Sequence, residues 1–407
     1  MKLNSANDGL LAASRKQDEE RQLGFDLEQL KENGGYFTAK EITQQPRLWM
    51  NTWELVNKNK EALHNFLSTA YREEALTVML TGAGTSAFIG NALQGPFQKN
   101  TGKTTTAVAT TDLISHPSHY FSGKVILLIS FARSGDSPES VAAVNLANEM
   151  CDKVFHLVIT CNPEGKLARA KSNNPVFIFL LPPEGDDKSL VMTGSFTAML
   201  LAGLLVSRIE ETTALRSTVV KLAAYGEKIL KEYIDKLKAV AKLDFQRAVF
   251  LGSGPLRPAA NESDLKLQEL TGGKVICKFD SFLGFRHGPK AVINASTLLV
   301  YLFSNNPYVH QYEQDLVRAI ASGEKGLFSI GITETAKQQM ELDLVIELSG
   351  NGETVEEEFL AVCSVLPAQI LGFYKCLEFG LTPDNPSETE TITRVVKGVT
   401  IYPFPHE

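Results

Sequence analysis

A strand-like run closing in Gly-x-Gly occurs twice in this chain, at residues 79–84 and 249–254, a separation of 170 residues. Two more apolar runs follow at nearly the same spacing. Residues 297–303 answer 125–131 at 172, and 327–332 answer the run that ends at Thr160. A period this long belongs to a duplicated domain, since solenoid units are only about 20–45 residues. Whatever one half folds into, the other must fold into as well.

In the first half, apolar runs at 77–81, 105–110, 125–130, 155–160 and 176–181 alternate with helix-like stretches. Short, continuously apolar strands separated by helices are what a parallel sheet covered on both faces requires. The predicted fold is therefore α/β: two tandem domains, each a parallel sheet flanked by helices in three layers. Residues 1–45, polar and interrupted at Gly34 and Gly35, read as an extension of one or two helices leading into Pro46. The first domain spans 46–215 and the second 216–388, joined through a helical region at about 197–242. Residues 389–407 make a tail too short to be a domain.

The chain has 407 residues, 43% of them hydrophobic, enough to bury real cores. A net charge of −7 argues against a general nucleic-acid or anionic-membrane surface, so an anionic ligand must be held by local groups. Cys151, Cys161, Cys277, Cys363 and Cys376 show no paired or zinc-like spacing, which points to reduced thiols in a cytoplasmic protein and to no metal site. The opening residues lack an apolar core of signal-peptide length. The longest apolar run, 198–206, is far short of the roughly 20 residues that span a bilayer.

Gly82-x-Gly84-Thr85-Ser86 falls between a strand and a helix, at the carboxyl edge where open α/β sheets bind ligands. The glycines let backbone approach a ligand, and the helix start offers free N–H groups to an anion. With Ala87 the same residues fit Gly-x-Gly-x-x-Ala, and Asp112 follows the next strand, so a dinucleotide site competes with a phosphate site here; a bare tight turn is the third reading. The second loop favours phosphate. Arg133-Ser134-Gly135-Asp136-Ser137 follows the run 125–130 and leads into Pro138, a helix start. Adjacent strand ends bring Ser86, Ser134 and Ser137 together, with Arg133 able to add charge. Three hydroxyls and two helix N-termini suit one phosphate monoester.

The second half keeps neither set. Its first loop reads Gly252-Ser253-Gly254-Pro255, and its second Phe303-Ser304-Asn305-Asn306-Pro307. Different chemistry belongs to Glu262, Lys266 and Glu269, which at i, i+4 and i+7 form one helical stripe, either a reactive group or a solvated ion-pair ladder. His287, in Arg286-His287-Gly288-Pro289, suits an imidazole presented from a loop. The stretch 280–289 also carries Phe282, Gly284 and Phe285. It reads as a loop reaching out of its own domain to dock on a partner, or else as an internal lid. His116 and His119 have no ligand spacing.

Together these residues resemble the sugar isomerase (SIS) domain family over about 46–403, with two flavodoxin-like domains. The two serine loops resemble that family's phosphate loops. The stripe, His287 with Gly288 and Pro289, and then Val396-Lys397-Gly398-Val399-Thr400 resemble the isomerase half of glucosamine-6-phosphate synthase. The whole chain is most similar to the AgaS group, galactosamine-6-phosphate deaminases also described as tagatose-6-phosphate ketose/aldose isomerases.

The resemblance implies phosphate binding by Ser86, Ser134 and Ser137, with Thr85 and Gly84 nearby. It implies Glu269 as the base moving a proton between C1 and C2, Lys266 and Glu262 beside it, His287 as the ring-opening group, and Lys397, next to Val396, as a lysine able to form an imine. It further implies no cofactor, a phosphorylated amino sugar as substrate, and a homodimer or dimer of dimers. Ala132 and Arg133 depart from the synthase, which has serine and glutamine there. The chain begins Met1-Lys2-Leu3 with no early cysteine, hence no glutaminase nucleophile, which favours breakdown of an amino sugar over its synthesis. An isomerase that keeps its nitrogen, or a non-catalytic sugar-phosphate sensor, are the alternatives.

Overall fold

The computed structural model describes residues 21–170, 172–336, 341–396 and 398–405. It opens with a hairpin, β1 (Arg21–Gln22) and β2 (Phe25–Asp26), where only helices are predicted for 1–45. Leu23 and Gly24, both at positive φ, make the turn. Asp26 then starts the helix Leu27–Glu32: its carboxylate accepts from the N–H of Gln29 at 2.9 Å, and the Gln29 side chain accepts from the N–H of Asp26 at 3.1 Å. A second helix, Tyr36–Thr43, follows, so two helices lead into Pro46, which stands in the first turn of the next one, Gln45–Lys58. Residues 1–20 of the predicted extension lie outside the described residues.

Two five-stranded sheets follow, all parallel. The first contains β3 (Leu76–Thr81), β4 (Thr105–Ala107), β5 (Val125–Ala132), β6 (Lys153–Thr160) and β7 (Val176–Leu180), in the order β4-β3-β5-β6-β7. The second contains β8 (Arg247–Gly252), β9 (Ile276–Asp280), β10 (Thr297–Leu302), β11 (Phe328–Thr333) and β12 (Leu344–Glu347), in the order β12-β11-β10-β8-β9. Counted within each sheet, both orders are 2-1-3-4-5, the flavodoxin-like winding. Thr81 is level with Ser130 in one, and Gly252 with Leu302 in the other. The chain reverses direction of winding between β3 and β5, and again between β8 and β10.

Side-chain alternation divides each sheet into an inner and an outer face. Leu127, Ile129 and Phe131 of β5, with Leu298, Val300 and Leu302 of β10, enter one continuous core that joins both halves. Ile126, Leu128 and Ala132 face a separate cluster outside the first sheet, and Leu299 and Tyr301 another outside the second. The helix Gly194–Ser207, apolar all round, runs through the shared core with every residue buried. Glu357–Glu378, two helices end to end, reaches a mean hydropathy of 1.6 over a length sufficient to cross a membrane, which the apolar run 198–206 does not. It is 94% buried inside the protein, so its apolar surface is already covered.

Phe282 and Phe285 do not reach out of their domain. Both are buried in the outer cluster of the second sheet, with the Phe282 ring stacked on Tyr301 at 5.8 Å. Burying each ring stabilises the fold by roughly 1.5–3 kcal/mol, more than a loop tip could gain in solvent. Leu283 and the run from Arg286 to Gly288 remain exposed.

Candidate functional site

The first reversal point is open. Gly84, at φ 55, turns the chain from β3 into the helix Thr85–Thr101, and no atom lies within 4 Å of where a side chain would begin. Beside it, β5 is followed by Arg133 and Ser134, and Ser137 stands at the N-cap of the helix Pro138–Met150. The Ser137 hydroxyl makes no capping bond, so it is not spent on the helix. Ser134 Oγ accepts from the N–H of Asp136 at 3.3 Å, which shapes the loop and leaves its proton to donate. Two helix N-termini therefore converge here, with Ser86, Ser134 and Ser137 around them.

The second half supplies the opposite wall. Its helix Leu256–Leu270 packs against the helix Thr85–Thr101 and delivers the predicted stripe into the same space. Lys266 Nζ lies 2.6 Å from Glu269 Oε2 and 3.4 Å from Glu262 Oε1, and donates to Thr85 Oγ1 at 3.2 Å. The stripe is thus no solvated ladder. Glu262 and Lys266 are fully buried, whereas the Glu269 side chain is 22% exposed and opens into the cleft. Burial pushes the Glu262 carboxyl up to about 8, against the opposing pull of Lys266. Burial alone would lower the Lys266 pKa, but Glu262 and Glu269 outweigh it and the ammonium is held more firmly. A buried acid that holds its proton beside an ammonium is an arrangement that a dry site tolerates.

The walls enclose about 490 Å³. Gly84, Thr85, Ser86, Arg133, Ser134, Ser137, Lys266, Glu269 and Val396 all line this cleft, as the sequence predicts. Glu262 stands behind Lys266 and does not reach it. His287 is exposed elsewhere on the second half and forms no part of the walls. Lys397 lies outside the described residues. Asp112 sits in the first turn of the helix Thr110–Ser115 and is not in the walls either, so the dinucleotide arrangement is not assembled.

Two sets of lining residues escape a reading of the sequence. Leu190 and Met192 come from the segment before Gly194, and residues 390–395, continuing into the predicted Val396, cross the cleft as a strap. Arg133 turns away from the phosphate position: its guanidinium donates to the carbonyls of Ser189, Leu190 and Arg394. Burial lowers its pKa, with Asp187 opposing that effect. A Thr-Arg-Val-Val run in a short tail carries no motif that would announce such a role.

A SIS domain matches residues 71–208. The D-galactosamine-6-phosphate deaminase AgaS of Shewanella sp. (strain ANA-3) is 38% identical over 391 residues, covering 95% of this chain and 97% of that one. The protein of the same name from Escherichia coli is 39% identical over 91% of this chain and 96% of its own length. Among solved structures, tagatose-6-phosphate ketose/aldose isomerase from Escherichia coli superposes with a TM-score of 0.83 at 36% identity, over 91% of this chain and 98% of that one.

Proposed function

The chain belongs to the AgaS family of SIS-domain proteins, and from that premise we propose that it deaminates galactosamine 6-phosphate, giving tagatose 6-phosphate and ammonia. The observation that carries this reading is the Glu269–Lys266 pair at 2.6 Å, held by one half of the chain above the serine loops of the other. The phosphate takes the two helix N-termini and the hydroxyls of Ser86, Ser134 and Ser137, which sets the C1–C2 end of the sugar beneath Glu269.

With the ring open, Glu269 removes the proton on C2 and the C2–H electron pair forms the C1–C2 double bond, sending charge onto the C1 oxygen. That oxygen takes a proton, giving an enaminol. Glu269 returns its proton to C1, the nitrogen lone pair forms the C2 imine, and water adds at C2 as ammonia leaves. Galactosamine 6-phosphate and one water thus become tagatose 6-phosphate and one ammonia. Lys266, 2.6 Å away, aims the Glu269 carboxylate at the sugar, the positioning that general-base catalysis requires. His287 opens the ring from a second copy of the chain in a homodimer. The reaction needs neither metal nor redox cofactor and runs in the cytoplasm.

The test is release of ammonia from galactosamine 6-phosphate, with glucosamine 6-phosphate and unphosphorylated galactosamine alongside. A ketose formed without ammonia from tagatose 6-phosphate's aldose partner would assign the plain isomerase instead, the activity for which the Escherichia coli structure is named.

A further inference from the structure

We propose that Arg133 is a positioning residue that builds the roof of the cleft, and not a phosphate ligand. Although it adjoins Ser134, it is only 7% exposed, and each of its hydrogen bonds goes to a backbone carbonyl. Nη1 donates to Ser189 O at 3.3 Å and Leu190 O at 3.1 Å, and Nη2 to Arg394 O at 2.5 Å. Arg394 returns the stitch. Its Nη2 donates to Asp187 O at 2.6 Å and Asp186 Oδ1 at 2.8 Å, and its Nε to Asp187 O at 3.0 Å.

Two guanidiniums thereby tie residues 186–190 to the strap 390–396. The tie is anchored in the core. Asp187 Oδ2 accepts from the N–H groups of Thr193 at 2.8 Å and Ser195 at 2.9 Å, at the start of the helix Gly194–Ser207, and Glu41 accepts from the N–H of Ser189 at 3.2 Å. Both tied segments are irregular, so their inward carbonyls have no sheet or helix partner, and a buried carbonyl left unpaired is costly. A rigid planar fork meets carbonyls on both segments at once with its donors in fixed directions, a geometry that a lysine ammonium lacks. A phosphate drawing Arg133 to itself would strip three carbonyls of their donor. The consequence is that Thr391, Thr393 and Val396 are held across from Lys266 and Glu269 before any sugar arrives.

The inference rests on the cleft being the sugar-phosphate site, yet its test does not require turnover. Amide hydrogen exchange over 390–396 is compared in the intact protein and in Arg133→Ala, Arg133→Lys and Arg394→Ala. In parallel, inorganic phosphate binding is measured for the Arg133 variants and for Ser137→Ala. We expect strap exchange to rise about tenfold in each arginine variant, Arg133→Lys included, as two or three hydrogen bonds are lost. Phosphate affinity should hold within about twofold in Arg133→Lys and fall about tenfold or more in Ser137→Ala. Arg133→Lys keeps the charge, so it remains informative if Arg133→Ala does not fold. Strap exchange equal to that of the unaltered protein overturns the proposal. So does a loss of phosphate affinity in Arg133→Lys as large as in Ser137→Ala. Absence of ammonia release, with both expected results intact, would instead count against the deaminase reading alone.

Discussion

The backbone N–H of Ser304 donates to the carboxylate of Glu313 at 2.9 Å, where the second sheet has the counterpart of the serine loop after β5. Ser304 Oγ donates to Glu357, and Asn305 Nδ2 to Glu334 at 2.6 Å. The donors that could cradle an anion at the second reversal point are thus occupied by the chain's own carboxylates. This explains why one cleft serves two similar sheets. Glu313→Gln keeps one acceptor oxygen but puts an amide NH2 in place of the other in a fully buried position. It should lower unfolding stability by about 1–3 kcal/mol while kcat/KM for ammonia release stays unchanged. Urea unfolding and steady-state rates check both halves of this expectation.

Glu269→Gln should lower kcat by at least about 10²-fold, because the amide keeps the shape of the side chain and cannot take a proton. Binding of the sugar phosphate should change little. Exchange of the C2 proton with solvent, followed by NMR, is the direct readout. Near-normal exchange in the variant would remove Glu269 from the role of base.

Ser134→Ala and Ser137→Ala each delete a hydroxyl facing the proposed phosphate. Each should weaken phosphorylated sugars by about 1.5–3 kcal/mol, the range for a hydrogen bond to a charged group. Calorimetric titration with phosphorylated and unphosphorylated galactosamine separates the cases. Equal losses for both ligands would mean that the serines only support the fold.

Glu262 holds its proton up to about 8 in the folded chain and to 4.5 in its ordinary state. Between those values the folded form binds more protons than the unfolded, so this group makes stability fall as pH rises through that window, with no further change above it. Glu41, also pushed up to about 8 by burial and Asp187, acts in the same direction. The readout is therefore a difference. Relative to the natural chain, Glu262→Gln should gain stability from pH 5 to pH 8 and then run parallel. A difference independent of pH would show that Glu262 is ionised throughout.

Mixing Glu269→Gln with His287→Ala, unfolded and refolded together, tests whether His287 serves a neighbouring subunit. Random pairing makes half the dimers mixed, each with one intact site, so about a quarter of the original activity should return. No recovery, with mixed dimers demonstrated by mass, would confine both groups to one subunit.

Much of this molecule is legible in its residues because its signals are local. Continuously apolar runs at 125–131 and 297–303 mark buried strands, and the turn at Gly84 and the stripe of Glu262, Lys266 and Glu269 follow from spacing alone. What spacing does not carry is the partner of a long polar side chain. Arg133 reads as a charge for phosphate, yet its partners are carbonyls of Ser189, Leu190 and Arg394, distant in sequence and of no particular residue type. Phe282 and Phe285 mislead for a related reason. Their loop lacks periodicity, and their burial depends on a pocket made by Tyr301 and its neighbours.

The helix Leu366–Glu378 lies directly on the helix Leu256–Leu270, with Gly372 so close to Leu270 that any side chain there would collide at 2.8 Å. Anything larger than glycine at position 372 would therefore push the helix bearing Glu262, Lys266 and Glu269 off its neighbour, so the spacing of the proposed proton-transfer group is governed by a position that has no part in the cleft.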